Sequence, residues 1–288
     1  MQAMSDSGGR NESRRVKIIR APSFSIRTLL ANLADLRQYR DLLYTLTLHR
    51  LSVRYKQSLL GWAWALLQPL ALMAIYTVVF SLVTRVPTHG TPYAVFVYAA
   101  LLPWTFFATA ITNSAGGFLA HTQLITKVYF PREIIPATYV FAALFDLLIA
   151  AAVLAGMMAW YRIPLTSHAA FLFPVLAVNM ILAMGLSILL AAVQVRFRDV
   201  GLAIPLLMQV WLFATPVVYP LSAVPKRFES LYILNPMVGI VENFRRAVIE
   251  GASPDLKSFW YSAAVAGVLL PIAFLFFKNR EATMADII

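Results

Sequence analysis

Six stretches of apolar residues divide this chain, at roughly 62–84, 94–117, 134–160, 169–195, 200–221 and 258–277. As a helix rising 1.5 Å per residue, about 20 such residues cross the ~30 Å hydrocarbon layer of a bilayer. No water is available there to satisfy backbone N–H and C=O groups, so the chain must pair them itself, which favours helices. The expectation is an all-α integral membrane fold with six transmembrane helices. The six runs occupy most of the 288 residues and leave no room for a large soluble domain. The composition agrees, since 60% of the residues are hydrophobic and 13% charged, where soluble domains average about 45–50% and about 25%.

The net charge of +11 would suit nucleic acid, but its distribution suits a membrane better. Residues 1–60 hold eleven Lys and Arg (Arg10 to Lys56) against Asp6, Glu12, Asp35 and Asp41. With the N-terminus inside, the inner loops add Lys127, Arg132, Arg196, Arg198, Lys278 and Arg280. Basic residues collect on the cytoplasmic side of membrane proteins, so both termini are expected in the cytoplasm and no nucleic-acid partner is expected. The outer segment 222–257 is discordant, with five cations that its four acids nearly cancel. No early apolar run resembles a cleavable signal peptide, and the first span is expected to serve as its own signal. The chain has no cysteine, which removes disulfide, zinc–thiolate and thiol chemistry.

The polar, Gly/Ser/Arg-rich start (SDSGGRNESRR) reads as a disordered tail over 1–25. Residues 26–60 form an amphipathic cytoplasmic segment in which 34–58 is helical, with Leu36, Leu42, Leu43, Leu46 and Val53 among Arg and Lys. The stretch RYKQSLLGWAWALLQP, Arg54 to Pro69, carries this surface helix into the first span through a bend at Leu60–Gly61. The transmembrane domain covers 61–280 and a short cytoplasmic tail 281–288. Prolines at 69, 103, 205, 216 and 220 are expected to kink spans one, two and five. Between spans five and six, 224–251 is too apolar for a loop and too broken for a span. It reads as two short amphipathic helices, one over Lys226 to Ile233. The other is capped by Asn235, opened by Pro236 and ended near Gly251. On the latter, Met237, Ile240, Val241, Phe244 and Val248 share an apolar face, while Glu242, Arg245 and Arg246 are polar.

No phosphate-binding loop, metal motif or catalytic carboxylate cluster is present, so no cofactor is expected in this chain. Asp146 is the one carboxylate deep within a predicted span. Such a charge costs about 2.5–3.5 kcal/mol on insertion scales, and it either lines a polar path or is a protonated structural group. Most of Trp62, Trp64, Trp104, Trp211 and Tyr219 fit an interfacial aromatic belt. Tyr76, Tyr98 and Phe106 are the candidates for stacking against sugar rings in a passage. The halves of the chain show no repeat, so a passage needs a second copy, and a two-fold homodimer is expected.

Six separated blocks resemble a family, the membrane subunit of type-two ABC exporters for polysaccharides such as O antigen, capsule or teichoic acid. They are DLLYTLTLHRLSVRYKQSLLGWAWALLQP (41–69), LPWTFF (102–107), LITKVYFPREIIP (124–136), VRFRDVG (195–201), ATPVVYP (214–220) and ILNPMVGIVENFRRAVIEG (233–251). The resemblance implies that this chain moves a lipid-linked polysaccharide, best taken as O antigen on a polyprenyl diphosphate, outward across the inner membrane. It also implies two copies of a separate ATPase that bind ATP and magnesium. The coupling segment 121–132 would carry His121, Leu124, Lys127, Val128, Tyr129, Phe130 and Arg132 to the ATPase, with Glu133 at its end. Arg50, Arg54, Tyr55, Lys56, Leu60, Gly61 and Trp62 would form the interface helix and the entrance for the lipid anchor. Asn235, Pro236, Phe244 and Arg245 would belong to the outer gate. Two other readings are an integral-membrane glycosyl- or acyltransferase, which would need a polar catalytic cluster at one membrane face, and an ABC exporter of small lipids or drugs.

Overall fold

The computed structural model describes residues 39–56, 61, 63–80, 90–128 and 130–287. Among these every regular element is helical. The chain starts with α1 (Arg40–Lys56) and α2 (Ala63–Val79). It continues with α3 (Tyr93–Ala120), the short α4 (Thr122–Lys127) and α5 (Ile134–Trp160). A 3-10 turn leads into α6 (Leu172–Arg196), followed by α7 (Val200–Phe213), α8 (Lys226–Ile233), α9 (Pro236–Arg245) and α10 (Leu256–Ile287).

Four helical stretches are long and apolar enough to cross a membrane: Tyr93–Ala120, Ile134–Trp160, Ser167–Arg196 and Leu256–Glu281. They run alternately between two ends of the molecule. The start of α3, the end of α5, the start of α6 and the start of α10 share one end with α8 and α9. The other end gathers α1, α4, the start of α5 and the last turns of α3, α6 and α10 around Phe118, Ile125, Phe130, Ile188, Val195 and Phe277. The helix α3 is the axis of the bundle, buried without a break from Val95 to Trp104. Pro103 lies inside it, and the fully buried Asn179 of α6 donates to the Pro103 carbonyl at 3.0 Å.

One boundary differs from expectation. The fifth apolar run is helical only to Phe213, because Pro216 disfavours helix at the residue before it. Residues 214–220 are a buried turn instead. The first run is helical over Ala63–Val79, and 81–89 lie outside the described residues. The apolar helices α2 and α7 are shorter than the four long ones, at 17 and 14 residues. The last helix continues through 281–287, past the end of its apolar run. Pro69, Pro103 and Pro205 sit inside helices that run on past them.

Candidate functional site

At the α1/α4 end the elements are tied by side chains. The Arg50 guanidinium of α1 lies 3.9 Å from the ring centroid of Tyr139 on α5. That ring fills the space a Cβ at Gly117 of α3 would need. His121 meets the same ring edge-on at 6.1 Å, and its Nδ1 lies 2.7 Å from the Gly117 carbonyl. Tyr39, Leu42, Leu43 and Leu46 pack on the apolar cluster beneath. Leu51, rather than Val53, is the buried residue of the second half of α1.

The loop after α4 is fastened to α10. Lys278 donates to Glu133 at 2.8 Å and to Glu281 at 3.0 Å, and Arg132 donates to the Glu281 backbone carbonyl. Glu133 is only 2% exposed. Burial pushes its carboxyl above the ordinary range, and Lys278 pulls it back part of the way. Of the predicted coupling residues, Phe130 is buried and Leu124 half-buried, while Lys127 and Val128 face outward. Tyr129, Leu60 and Trp62 lie outside the described residues, as do the side chains of Arg54, Tyr55 and Lys56. Gly61 has φ +48°, the left-handed region that an L side chain enters only at a cost.

The opposite end is built around the non-helical turn 214–220. Thr215, Val217 and Val218 there are buried. Non-helical backbone at such depth requires partners for its carbonyls. Arg245 of α9, one of the gate candidates, is completely buried. Its Nη2 donates to the Val217 carbonyl at 2.5 Å and its Nη1 to the Tyr219 carbonyl at 3.4 Å, with the guanidinium 3.8 Å from the Phe96 ring centroid. Burial lowers its pKa to about 10, so it stays a cation at neutral pH. Tyr93 donates to the Val218 carbonyl at 2.7 Å.

Asn235 is the second clamp. Its Oδ1 caps α9 by accepting from the Met237 amide at 3.0 Å and also accepts from the Trp211 indole at 2.9 Å. Its Nδ2 donates to Thr215 Oγ1 at 2.9 Å and to the Ala214 carbonyl at 3.1 Å. One side chain thus joins the end of α7, the turn and the start of α9. Behind α9, Gly239 lets the helix lie against α10, for a Cβ there would stand 2.3 Å from the Ser258 carbonyl. Asn243 accepts from the Asp255 amide at 2.8 Å and donates to the Asp255 carbonyl at 3.1 Å. Pro236 passes its carbonyl to Ser262, and Phe244 is 3% exposed.

The predicted passage aromatics part company. Tyr98 is wholly buried and donates to the Ala150 carbonyl at 3.1 Å, and Phe106 is 3% exposed within the bundle, so both are core side chains of this chain. Tyr76 is half-buried and starts a line of rings, Tyr76–Phe80–Tyr93–Phe96, that ends on Arg245. Asp146 faces a cavity of about 30 Å³ shared with Gln68, Thr105 and Thr109. That is room for about one water molecule. Tyr139, Glu281 and Asn243 are absent from the sequence reading and Lys278 entered it only as an inner-loop cation, although Gly117 before α4 and the charges ending the last span were visible clues.

The family model described as ABC-2 type transporter matches residues 41–249, from α1 to the segment that follows α9. The O-antigen export system permease protein RfbA of Myxococcus xanthus is 34% identical over 256 residues, covering 88% of this chain and 97% of that protein. RfbA of Klebsiella pneumoniae is 31% identical over 83% of this chain and 92% of its own length. The polysialic acid transport protein KpsM of Escherichia coli is 28% identical over 83% and 93%. With a match over most of its length, and with helices apolar and long enough to cross a bilayer several times, the chain is a multi-pass membrane protein that belongs to the ABC-2 type transporter family.

Proposed function

We propose that this chain is the membrane subunit of an ATP-driven exporter that carries a lipid-linked polysaccharide, O antigen on a polyprenyl diphosphate, to the outer side of the inner membrane. The observation that carries the reading is the similarity over 97% of the length of a protein named as an O-antigen export permease. Two copies form the passage, each with six membrane-crossing segments when α2 and α7 are counted. Both termini lie in the cytoplasm, in keeping with the basic residues around the α1/α4 end.

Two ATPase subunits, which hold the ATP and magnesium, dock on the outward face of α4 at Lys127 and Val128 and on α1. Closure of the ATPase pair moves α4 and α1 together. The Arg50–Tyr139 contact and the Lys278–Glu133 pair pass that movement to α5 and α10. The bend at Gly61 passes it to α2, beside which the lipid anchor enters. The sugar chain leaves past the turn 214–220 and α8–α9, which act as the outer gate.

Purification of the tagged chain from its native membrane in mild detergent tests this reading. A stoichiometric ATPase is expected, with magnesium-dependent hydrolysis, and deletion of the chain should trap lipid-linked polysaccharide on the cytoplasmic side. A chain that purifies alone and whose deletion leaves export intact would overturn it.

A further inference from the structure

At the α1/α4 end a cavity of about 310 Å³ opens between α6 and α10. Its walls include Val193, Phe197, Phe276 and Met284, and it is flanked by Arg196 and Arg280. Both arginines are exposed. Each guanidinium stands beside a ring of the same wall, Arg196 at 5.6 Å from Phe197 and Arg280 at 5.8 Å from Phe276. Arg196 is the last residue of α6, and Arg280 follows the apolar run of α10 that stops at Phe277. The two cations therefore stand where hydrocarbon gives way to headgroups, above a cavity with mainly apolar walls.

An apolar recess topped by two guanidinium groups complements an amphiphile with a phosphate head, because guanidinium binds phosphate through paired, charge-assisted hydrogen bonds. We infer that this cavity holds an anionic phospholipid of the bilayer's own leaflet. Its acyl chain lies along Val193 and Phe276, and its phosphate sits between Arg196 and Arg280. A diphosphate-linked cargo shares this chemistry, but the location selects the resident lipid. The helices α6 and α10 are packed along their lengths, so closely that a Cβ at Gly185 would stand 3.1 Å from the Leu270 Cα. A passing cargo needs helices that part, and these two are locked. On the same stretch of α10, Lys278 and Glu281 hold the loop after α4. A lipid phosphate at Arg280 thus steadies the part of α10 that receives the coupling segment. The inference stands on the cavity alone, whatever the transported cargo.

Native mass spectrometry of the detergent-solubilised assembly, titrated with phosphatidylglycerol or phosphatidylcholine, tests it. The unaltered protein should retain phosphatidylglycerol preferentially. Combined Arg196→Gln and Arg280→Gln should lower that retention by on the order of tenfold. The corresponding Arg→Lys pair should keep the preference, which separates lost charge from lost fold. Filling the recess with Val193→Trp should abolish retention of both lipids. Three results would overturn the assignment: no preference in the unaltered protein, equal retention by the glutamine pair, or displacement of the phospholipid by a short polyprenyl diphosphate, which would give the cavity to the cargo.

Discussion

The two ends of this molecule are held together by different kinds of bond. At the α1/α4 end most ties run from side chain to side chain across helix boundaries, Arg50 on Tyr139 and Lys278 between Glu133 and Glu281, beside one from Arg132 to the Glu281 carbonyl. At the α8/α9 end, side chain meets backbone: Arg245, Tyr93 and Asn235 grip carbonyls of a turn that has no helix to satisfy them. Links of the first kind join rigid helices and can re-form when those helices shift. Links of the second kind create the local structure itself, and without them the turn has no reason to hold its shape. An exporter driven from one side needs a driven end that transmits movement and a far end whose shape is defined.

That contrast orders the expected effects of substitution. Arg245→Met removes the donors for Val217 and Tyr219, and each orphaned buried carbonyl costs about 1–3 kcal/mol. It should give the largest fall in thermal stability of the detergent-purified assembly. Lys278→Met leaves Glu133 buried beside Glu281 without its cation, a loss of about 3 kcal/mol. Adding Glu133→Gln should recover most of that loss. No such recovery would mean that the pair is not what joins the loop to α10.

Asn235→Ala should cost about 1–2 kcal/mol for the lost cap, with faster amide exchange in 214–220. Should exchange quicken instead around α4, the division between the two ends fails. Gly61→Val strains a left-handed residue by about 1–2 kcal/mol. It should reduce polysaccharide export while leaving membrane insertion intact, and normal export would remove the hinge.

Glu242→Gln should have the smallest effect, below about 1 kcal/mol. Burial raises the Glu242 pKa, and Arg245, 3.9 Å away, offsets this only in part. The folded state therefore favours the protonated acid. The stability from this group is full below the ordinary glutamate range and is lost as pH rises through the raised value. A pH series of melting temperatures should show that slope reduced in Glu242→Gln.

The long spans were legible because a run of more than twenty apolar residues has few other folds open to it. The start of α9 was legible too: Asn235 and Pro236 open it through fixed chemistry, while the left-handed Gly251 closes not α9 but the turn after it. The turn 214–220 was misread because Val217, Val218 and Tyr219 are as apolar as a span. Only the prolines at 216 and 220 mark the break, and membrane helices tolerate proline elsewhere in this chain. The burial of Arg245 escaped notice for a related reason. A helix read alone assigns its arginine to water, whereas here the neighbouring turn offers carbonyls that water cannot reach. The Lys278–Glu133 pair joins positions 145 residues apart, and nothing local to either one announces the other.

The absence of cysteine makes one measurement direct. Single cysteines at Val128, exposed at the α1/α4 end, and at Val218, 1% exposed in the turn, can be probed with a membrane-impermeant thiol reagent from each side of the membrane. Val128→Cys should react from the cytoplasmic side alone. Val218→Cys should stay unreactive while Arg245 is present and should become reactive from the outer side when Arg245→Met is added. Reaction of Val218→Cys with Arg245 intact, or of both positions from one side, would contradict the account of a driven inner end and a clamped outer one.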